Sequence, residues 1–245
     1  MGPGRRIHTG ADLLTEVSEA RPARRAGRYG AAVARSLPFA VYIGFLALAP
    51  ILTRVFGAAF DPRWLYAAQV GLAAAALAAC WRRYGELHEA PAPAGLAAGA
   101  AVGALVFALW INLDFGPLVL GSSEGFDPTT DGRVEWRLAL TRLAGATLVV
   151  PVMEEVFWRA FILRWLHRPR FLDVDPREVG WQPLLISSAV FATEHHLWFA
   201  GLLAGLAYGW LYIRTGNVWV PVAAHAVTNG LLGWWVLATG SWTFW

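Results

Sequence analysis

At 245 residues, 57% hydrophobic and 15% charged, with a mean hydropathy of +0.45, the chain is too apolar for an ordinary soluble domain. Such domains run at about 45–50% apolar and about 25% charged residues. The net charge of +3 comes with 20 basic residues that are all Arg and sit beside apolar runs, so they read as membrane-topology signals and no nucleic-acid partner is expected. The single Cys80 excludes an internal disulfide.

What remains is a multi-pass membrane protein, whose 14 Trp and 25 Gly suit helices in lipid with aromatic residues at the interfaces. The absence of Lys beside abundant Ala points to a GC-rich, bacterial genome. Residues 1–36 are polar, carry seven Arg and lack a sustained apolar face. They read as a mobile cytoplasmic leader with at most a short amphipathic helix near Leu13–Val17. The first apolar run is too long for a signal-peptide core and is expected to be retained. Residues 37–245 read as a single membrane-embedded domain.

Crossing ~30 Å of hydrocarbon takes about 20 residues. Candidate spans are Leu37–Phe56, Trp64–Trp81, Pro93–Leu113, Leu138–Leu166, Trp181–Trp198, Phe199–Ile213 and Val218–Thr239. The expected fold class is all-α, a polytopic membrane helix bundle of seven transmembrane helices, or eight if one segment is split. The stretch from Asn112 to Trp136, with Asp114, Glu124, Asp127, Asp131 and Glu135 among Gly and Pro breaks, reads as an exposed non-cytoplasmic loop. Placing the N-terminus in the cytoplasm assigns fourteen arginines to that side and five to the other. That asymmetry sets the expected orientation in the cell membrane.

Three polar sites interrupt the later spans. The first, Pro151-Val-Met-Glu-Glu-Val-Phe-Trp-Arg-Ala160, puts two carboxylates and a guanidinium where charge is expensive, which marks a functional-site candidate. Glu155 and Arg159 are four residues apart and can pair along a helix, whereas Glu154 points about 100° away with no local partner. An isolated Glu-Glu would read as a buried ion pair holding helices in register. Further polar sites downstream shift that balance. The second site, Phe191-Ala-Thr-Glu-His195-His196, lies late in the fifth span. Glu194, His195 and His196 cannot share one helical face. The third, His225-Ala-Val-Thr-Asn229, stacks a His and an Asn on one face. Such a pair serves either as interhelical hydrogen bonds or as two donors to one reacting oxygen.

Together these sites can activate water in two ways. Glu154 acts as general base with His195 orienting the water, or Glu154, His195 and His225 bind zinc or another divalent metal with an open fourth position. The spacing does not decide between them. There is no H-E-x-x-H and no G-x-S-x-G motif, and the single Cys80 has no polar neighbour inside its span, so Ser and Cys nucleophile mechanisms are disfavoured. A ligating His usually needs an acceptor for its other nitrogen. With Glu155 assigned to Arg159 only Glu194 is left over, so no metal is expected.

The motifs Glu154-Glu155-x-x-x-Arg159, Phe191-x-x-x-His195 and His225-x-x-x-Asn229, in order and on separate spans, resemble those of the CPBP family. This is the CAAX-protease and bacteriocin-processing (Abi) family of intramembrane endopeptidases. The resemblance covers roughly residues 138–237, the expected catalytic core. It implies Glu154 and His195 as the water-activating pair, His225 and Asn229 as oxyanion donors, Glu155 and Arg159 as a supporting pair with Phe191, and glutamate-type catalysis without a metal cofactor. The implied partners are a membrane-associated protein or peptide substrate and the lipid bilayer. Trp64-Leu-Tyr-Ala-Ala68, Trp81-Arg-Arg-Tyr-Gly-Glu-Leu87 and Trp110-Ile-Asn-Leu-Asp114 are similar to the exosortase-associated subgroup, which implies a functional link to an exosortase-type system. The competing expectation is a non-catalytic membrane scaffold or immunity-type partner of the same fold. Such a scaffold would tolerate the loss of at least one catalytic position, and here all four are filled.

Overall fold

Lipid offers no partner for a free peptide group, so each long apolar run closes its own hydrogen bonds as a helix. In the computed structural model, which describes residues 10–57, 60–123 and 125–245 and side chains from residue 30 onward, seven helices follow one another. They are α1 (Gly10–Phe56), α2 (Leu65–Cys80), α3 (Pro93–Asn112), α4 (residues 136–167), α5 (Trp181–Ala192), α6 (Trp198–Thr215) and α7 (Trp219–Thr239). Among the described residues, the stretches Gly30–Phe56, Pro62–Arg83, Pro93–Asn112 and Trp219–Thr239 are each long and apolar enough to cross a membrane. This is an all-α membrane bundle. Its only β-strands among the described residues form a minimal antiparallel hairpin, β1 (Thr129–Thr130) with β2 (Arg133–Val134).

Helix α4 alternates α-turns at Trp136–Ala144, Val150–Glu155 and Arg164–His167 with π-turns at Gly145–Val149 and Val156–Leu163. Pro151 accounts for the first π-turn. It has no N–H to give and disturbs the turn before it. The N–H of Val150 goes to the carbonyl of Gly145, five residues back. The Ala146 carbonyl is thereby left without a helical donor.

Small residues set which helices meet. Gly95, Gly99 and Gly103 present one face of α3 to Val220 and Ala224 of α7, so closely that a methyl on Gly103 would overlap the Ala224 carbonyl. On α6, Gly201, Gly205 and Gly209 face Ala192, Ser188 and Leu184 of α5 in the same four-residue rhythm. Both are small-xxx-small seams of the kind that let membrane helices approach closely. Thr228 Oγ1 donates to the Gly103 carbonyl at 2.8 Å and Tyr208 donates to Thr228 at 2.7 Å, which ties α3, α6 and α7 together.

Two sets of tethers define the ends of the bundle. At one end, Arg35 forms a two-pronged bond to Glu86 at 2.7 and 2.6 Å, Tyr84 donates to the Ala34 carbonyl, and Trp219 Nε1 donates to Leu87. Arg164 and Arg177 reach backbone carbonyls at the same end. At the other end, Arg63 bonds Asp61 and reaches Thr129 and Thr130 of the hairpin. The hydrogen bond from Arg63 outweighs partial burial and holds the Asp61 carboxyl below its ordinary range.

Three expectations change. The backbone is helical from Gly10 rather than mainly irregular up to residue 36, and Arg35, assigned to the leader by the sequence, is 2% exposed inside the bundle. Residues 1–9 of that leader, and Glu124, lie outside the described residues. The fifth span ends at Ala192 instead of Trp198. The connection from α3 to α4 is also no free loop. Leu120 N–H donates to the His196 carbonyl at 2.7 Å, Trp198 Nε1 donates to Pro117 at 2.9 Å, and Phe126 N–H reaches Trp242.

Candidate active site

The three polar sites converge on one cavity of about 270 Å³ enclosed by α1, α2, α3, α4, α7 and the turn after α5. Glu154, His195, His225 and Asn229 all line it. Glu154 projects from α4, is 8% exposed, and its Oε2 has no hydrogen-bond partner among the described residues. Glu155 turns the other way. Its Oε2 lies 3.0 Å from Arg159 Nε, with both side chains fully buried. Its Oε1 accepts from His225 Nδ1 at 3.0 Å. The carboxylate therefore supports two residues where the sequence assigns it to one.

His225 comes from the middle of α7 and lies nearly parallel to the Tyr208 ring at 5.1 Å. Because Glu155 takes the Nδ1 hydrogen, Nε2 is the free nitrogen, 4.0 Å from Glu154 Oε2. One turn on, Asn229 Nδ2 donates to the Ala146 carbonyl at 2.8 Å. The π-turn before Pro151 releases that carbonyl, so the bend in α4 and the placement of Asn229 are one feature. The amide has a second hydrogen that the Ala146 bond does not use.

His195 sits beyond the end of α5, in a turn where Thr193, Glu194 and His195 donate their N–H groups to the last carbonyls of the helix. Its Nδ1 donates to the Phe191 carbonyl at 3.2 Å, which leaves Nε2 as an acceptor. Trp110 from α3 meets the ring edge-on at 5.2 Å, and Phe191 flanks it at 4.9 Å. Phe191 also lies 5.0 Å below the Arg159 guanidinium and 6.0 Å from Trp158, so the motif phenylalanine is a packing hub.

Of Glu194, His195 and His196, which the sequence expects not to share one face, two enter the site. In the turn Glu194 and His195 both line the cavity, and Glu194 accepts from Trp158 Nε1 at 3.3 Å. His196 is not among the lining residues and instead gives its carbonyl to Leu120. The ring that enters the site is His195.

Residues 136–231 match the family model for type II CAAX prenyl endopeptidases of the Rce1-like kind. Over these residues the chain is similar to the CAAX-protease (CPBP) family. The matched stretch contains Glu154, Glu155, Arg159, Phe191, His195, His225 and Asn229. No curated protein and no solved structure matches the chain.

The sequence overlooks several lining residues: Tyr42 of α1, Tyr66 of α2, Arg142 of α4, and Trp245. Tyr42 and Tyr66 are polar groups inside apolar spans, the same signal that singles out Glu154. The metal argument also changes. Both imidazoles have acceptors for Nδ1, Glu155 and the Phe191 carbonyl, so the expected shortage of second partners does not arise. Yet among the described residues no three His, Cys, Asp or Glu side chains come together closely enough to hold a metal ion. Glu154, His195 and His225 share a cavity without converging on one point, and as placed they do not fit a metal.

Proposed function

We propose that this membrane protein is an intramembrane endopeptidase of the cell membrane that hydrolyses a peptide bond in a membrane-associated protein. What supports the reading is a single observation: four polar residues from three separate motifs line one cavity, and the carboxylate among them has an oxygen with no protein partner. A water between Glu154 and His195 would donate one hydrogen to Oε2 and one to Nε2, turning its lone pair toward the scissile carbonyl. As the water oxygen bonds to that carbon, Glu154 takes the proton and the carbonyl electrons move to its oxygen. The unused Asn229 hydrogen is one donor for that oxyanion. His225 is the other, and with its Nδ1 hydrogen held by Glu155 it donates from Nε2 only as the imidazolium. Collapse of the intermediate breaks the C–N bond, and the proton on Glu154 passes to the leaving amine. The link to an exosortase-type system remains a proposal resting on the three N-terminal motifs.

The test is a comparison of membrane-peptide termini in cells carrying wild type or Glu154→Gln at matched levels of folded protein. New termini present only with wild type are expected. Indistinguishable termini would defeat the proteolytic reading. A metal-free route also expects purified protein to cleave its substrate undiminished by chelators. Activity lost on chelation and restored by zinc would overturn that route while leaving the residues in place.

A further inference from the structure

We propose that Arg142 is the far anchor of the substrate groove, taking a carboxylate that the substrate carries about five residues from the bond to be cut. The proposal rests on the proteolytic reading above. Its geometry is that of a ruler. Arg142, Ala146, Val150 and Glu154 follow one another at four-residue intervals along α4, and all four line the same cavity. Twelve residues at about 1.5 Å each put the backbone of Arg142 about 18 Å along α4 from that of Glu154. An extended peptide covers that distance at about 3.3 Å per residue, hence about five residues. Between the two charges the walls are mainly apolar: Ala146 and Val150 on one side, Leu232 and Trp245 on the other.

Arg142 is the exception among the buried and half-buried arginines. Arg35 is paired with Glu86, Arg63 with Asp61 and Arg159 with Glu155, and Arg164 bonds three backbone carbonyls. Arg142 has no carboxylate within 4 Å among the described residues, and its buried Nε has no acceptor. Its guanidinium lies instead 4.3 Å from the Tyr66 ring centre and 5.4 Å from that of Phe126. Ring faces orient a guanidinium but do not neutralise it. A cation so held at the end of an apolar groove, its charge unmet by any carboxylate among the described residues, suits a planar two-oxygen anion, which guanidinium binds with two parallel bonds. A peptide lying in the groove offers such an anion from its C-terminal carboxylate or from an Asp or Glu side chain.

The test uses the full-length Glu154→Gln protein in detergent, where binding proceeds without cleavage. Fluorescently labelled apolar hexapeptides are compared by anisotropy in three forms: free C-terminal carboxylate, C-terminal amide, and amide with Glu as the last residue. At least one carboxylate form is expected to bind tenfold or more tightly than the uncharged amide, and the stronger of the two identifies the source. Adding Arg142→Gln should erase the preference and leave the amide's affinity unchanged, while Arg142→Lys should restore part of it. Equal binding of acid and amide, a preference that survives Arg142→Gln, or no binding of either acid at millimolar concentration overturns the proposal. Cleavage that depends on Glu154 without any carboxylate preference removes the anchor alone. Absence of Glu154-dependent cleavage removes the proteolytic reading, whatever the peptides do.

Discussion

Glu155 carries more than its spacing announces. One oxygen faces Arg159 and the other holds His225, so a single buried carboxylate joins α4 to the cavity-lining face of α7. The outer nitrogens of Arg159 have no acceptor among the described residues, and its charge is met by Glu155 and by the faces of Phe191 and Tyr208. Removing the guanidinium strands a buried carboxylate, at a cost of about 3–5 kcal/mol. Arg159→Ala is therefore expected to lower the yield of monodisperse protein on size exclusion, whereas Glu154→Gln, with no protein partner to lose at Oε2, keeps the yield and abolishes cleavage. Equal loss in both would refute this division. The Glu155–Arg159 pair is legible in the sequence because four residues is one helical turn. The Glu155–His225 bond is not, since it joins residues 70 apart and no local periodicity records it.

Among the helices, the decisive devices are the two glycine seams. A side chain at Gly103 meets the backbone of Ala224, which cannot give way as a flexible side chain can, and it crowds the Ala224 carbonyl that also accepts from Thr228 at 3.1 Å. Gly103→Ala should lower the melting temperature in detergent, by the equivalent of the ~1–3 kcal/mol typical of overpacking. Gly71→Ala on α2, with nothing within 4 Å of the added methyl, should leave it unchanged or slightly raised. Matching losses at both positions would show that the close approach of α3 and α7 does not matter. The helices themselves were readable, because length and hydropathy fix what lipid permits, and five of the seven expected spans match observed helices to within a few residues at both ends. The early end of α5 was hidden because the polar run at residues 193–196 reads as a site within a span, with Leu197 and Trp198 resuming the apolar run after it. No Gly or Pro marks the stop, and Thr193 makes it with a hydroxyl that donates to the Val190 carbonyl at 2.7 Å. The site was legible as a set of residues for the same reason, each being polar where polarity is costly. Its rim was not, because Arg142 and Trp245 look like interfacial residues until the fold turns them inward.

Across the whole molecule, the tethers sort the connections into two groups before any membrane is invoked. Arg35, the α2–α3 connection, residues 168–180 and the α6–α7 connection are bonded to one another at one end. The α3–α4 connection, the turn after α5 and the C-terminal residues are bonded together at the other. This is the alternation that seven passes require, even though α5, with 12 residues, is about 18 Å long and stops short of a full crossing. The turn that continues it reaches Leu120 and Pro117, so the α3–α4 connection closes the remaining distance from its own side. We expect the first end to face the cytoplasm, because the sequence reading assigns fourteen arginines to that side and five to the other. Reporter domains fused after Arg83 and after Trp245 are therefore expected on opposite sides of the membrane, the first cytoplasmic and the second not. Both reporting cytoplasm would mean that the α5–α6 hairpin, or another pair, does not span as drawn. The first reporting outside and the second inside would reverse the orientation while leaving the bundle intact. That second outcome would bring the Arg142 end of the groove to the cytoplasmic face, and substrates would then approach it from there.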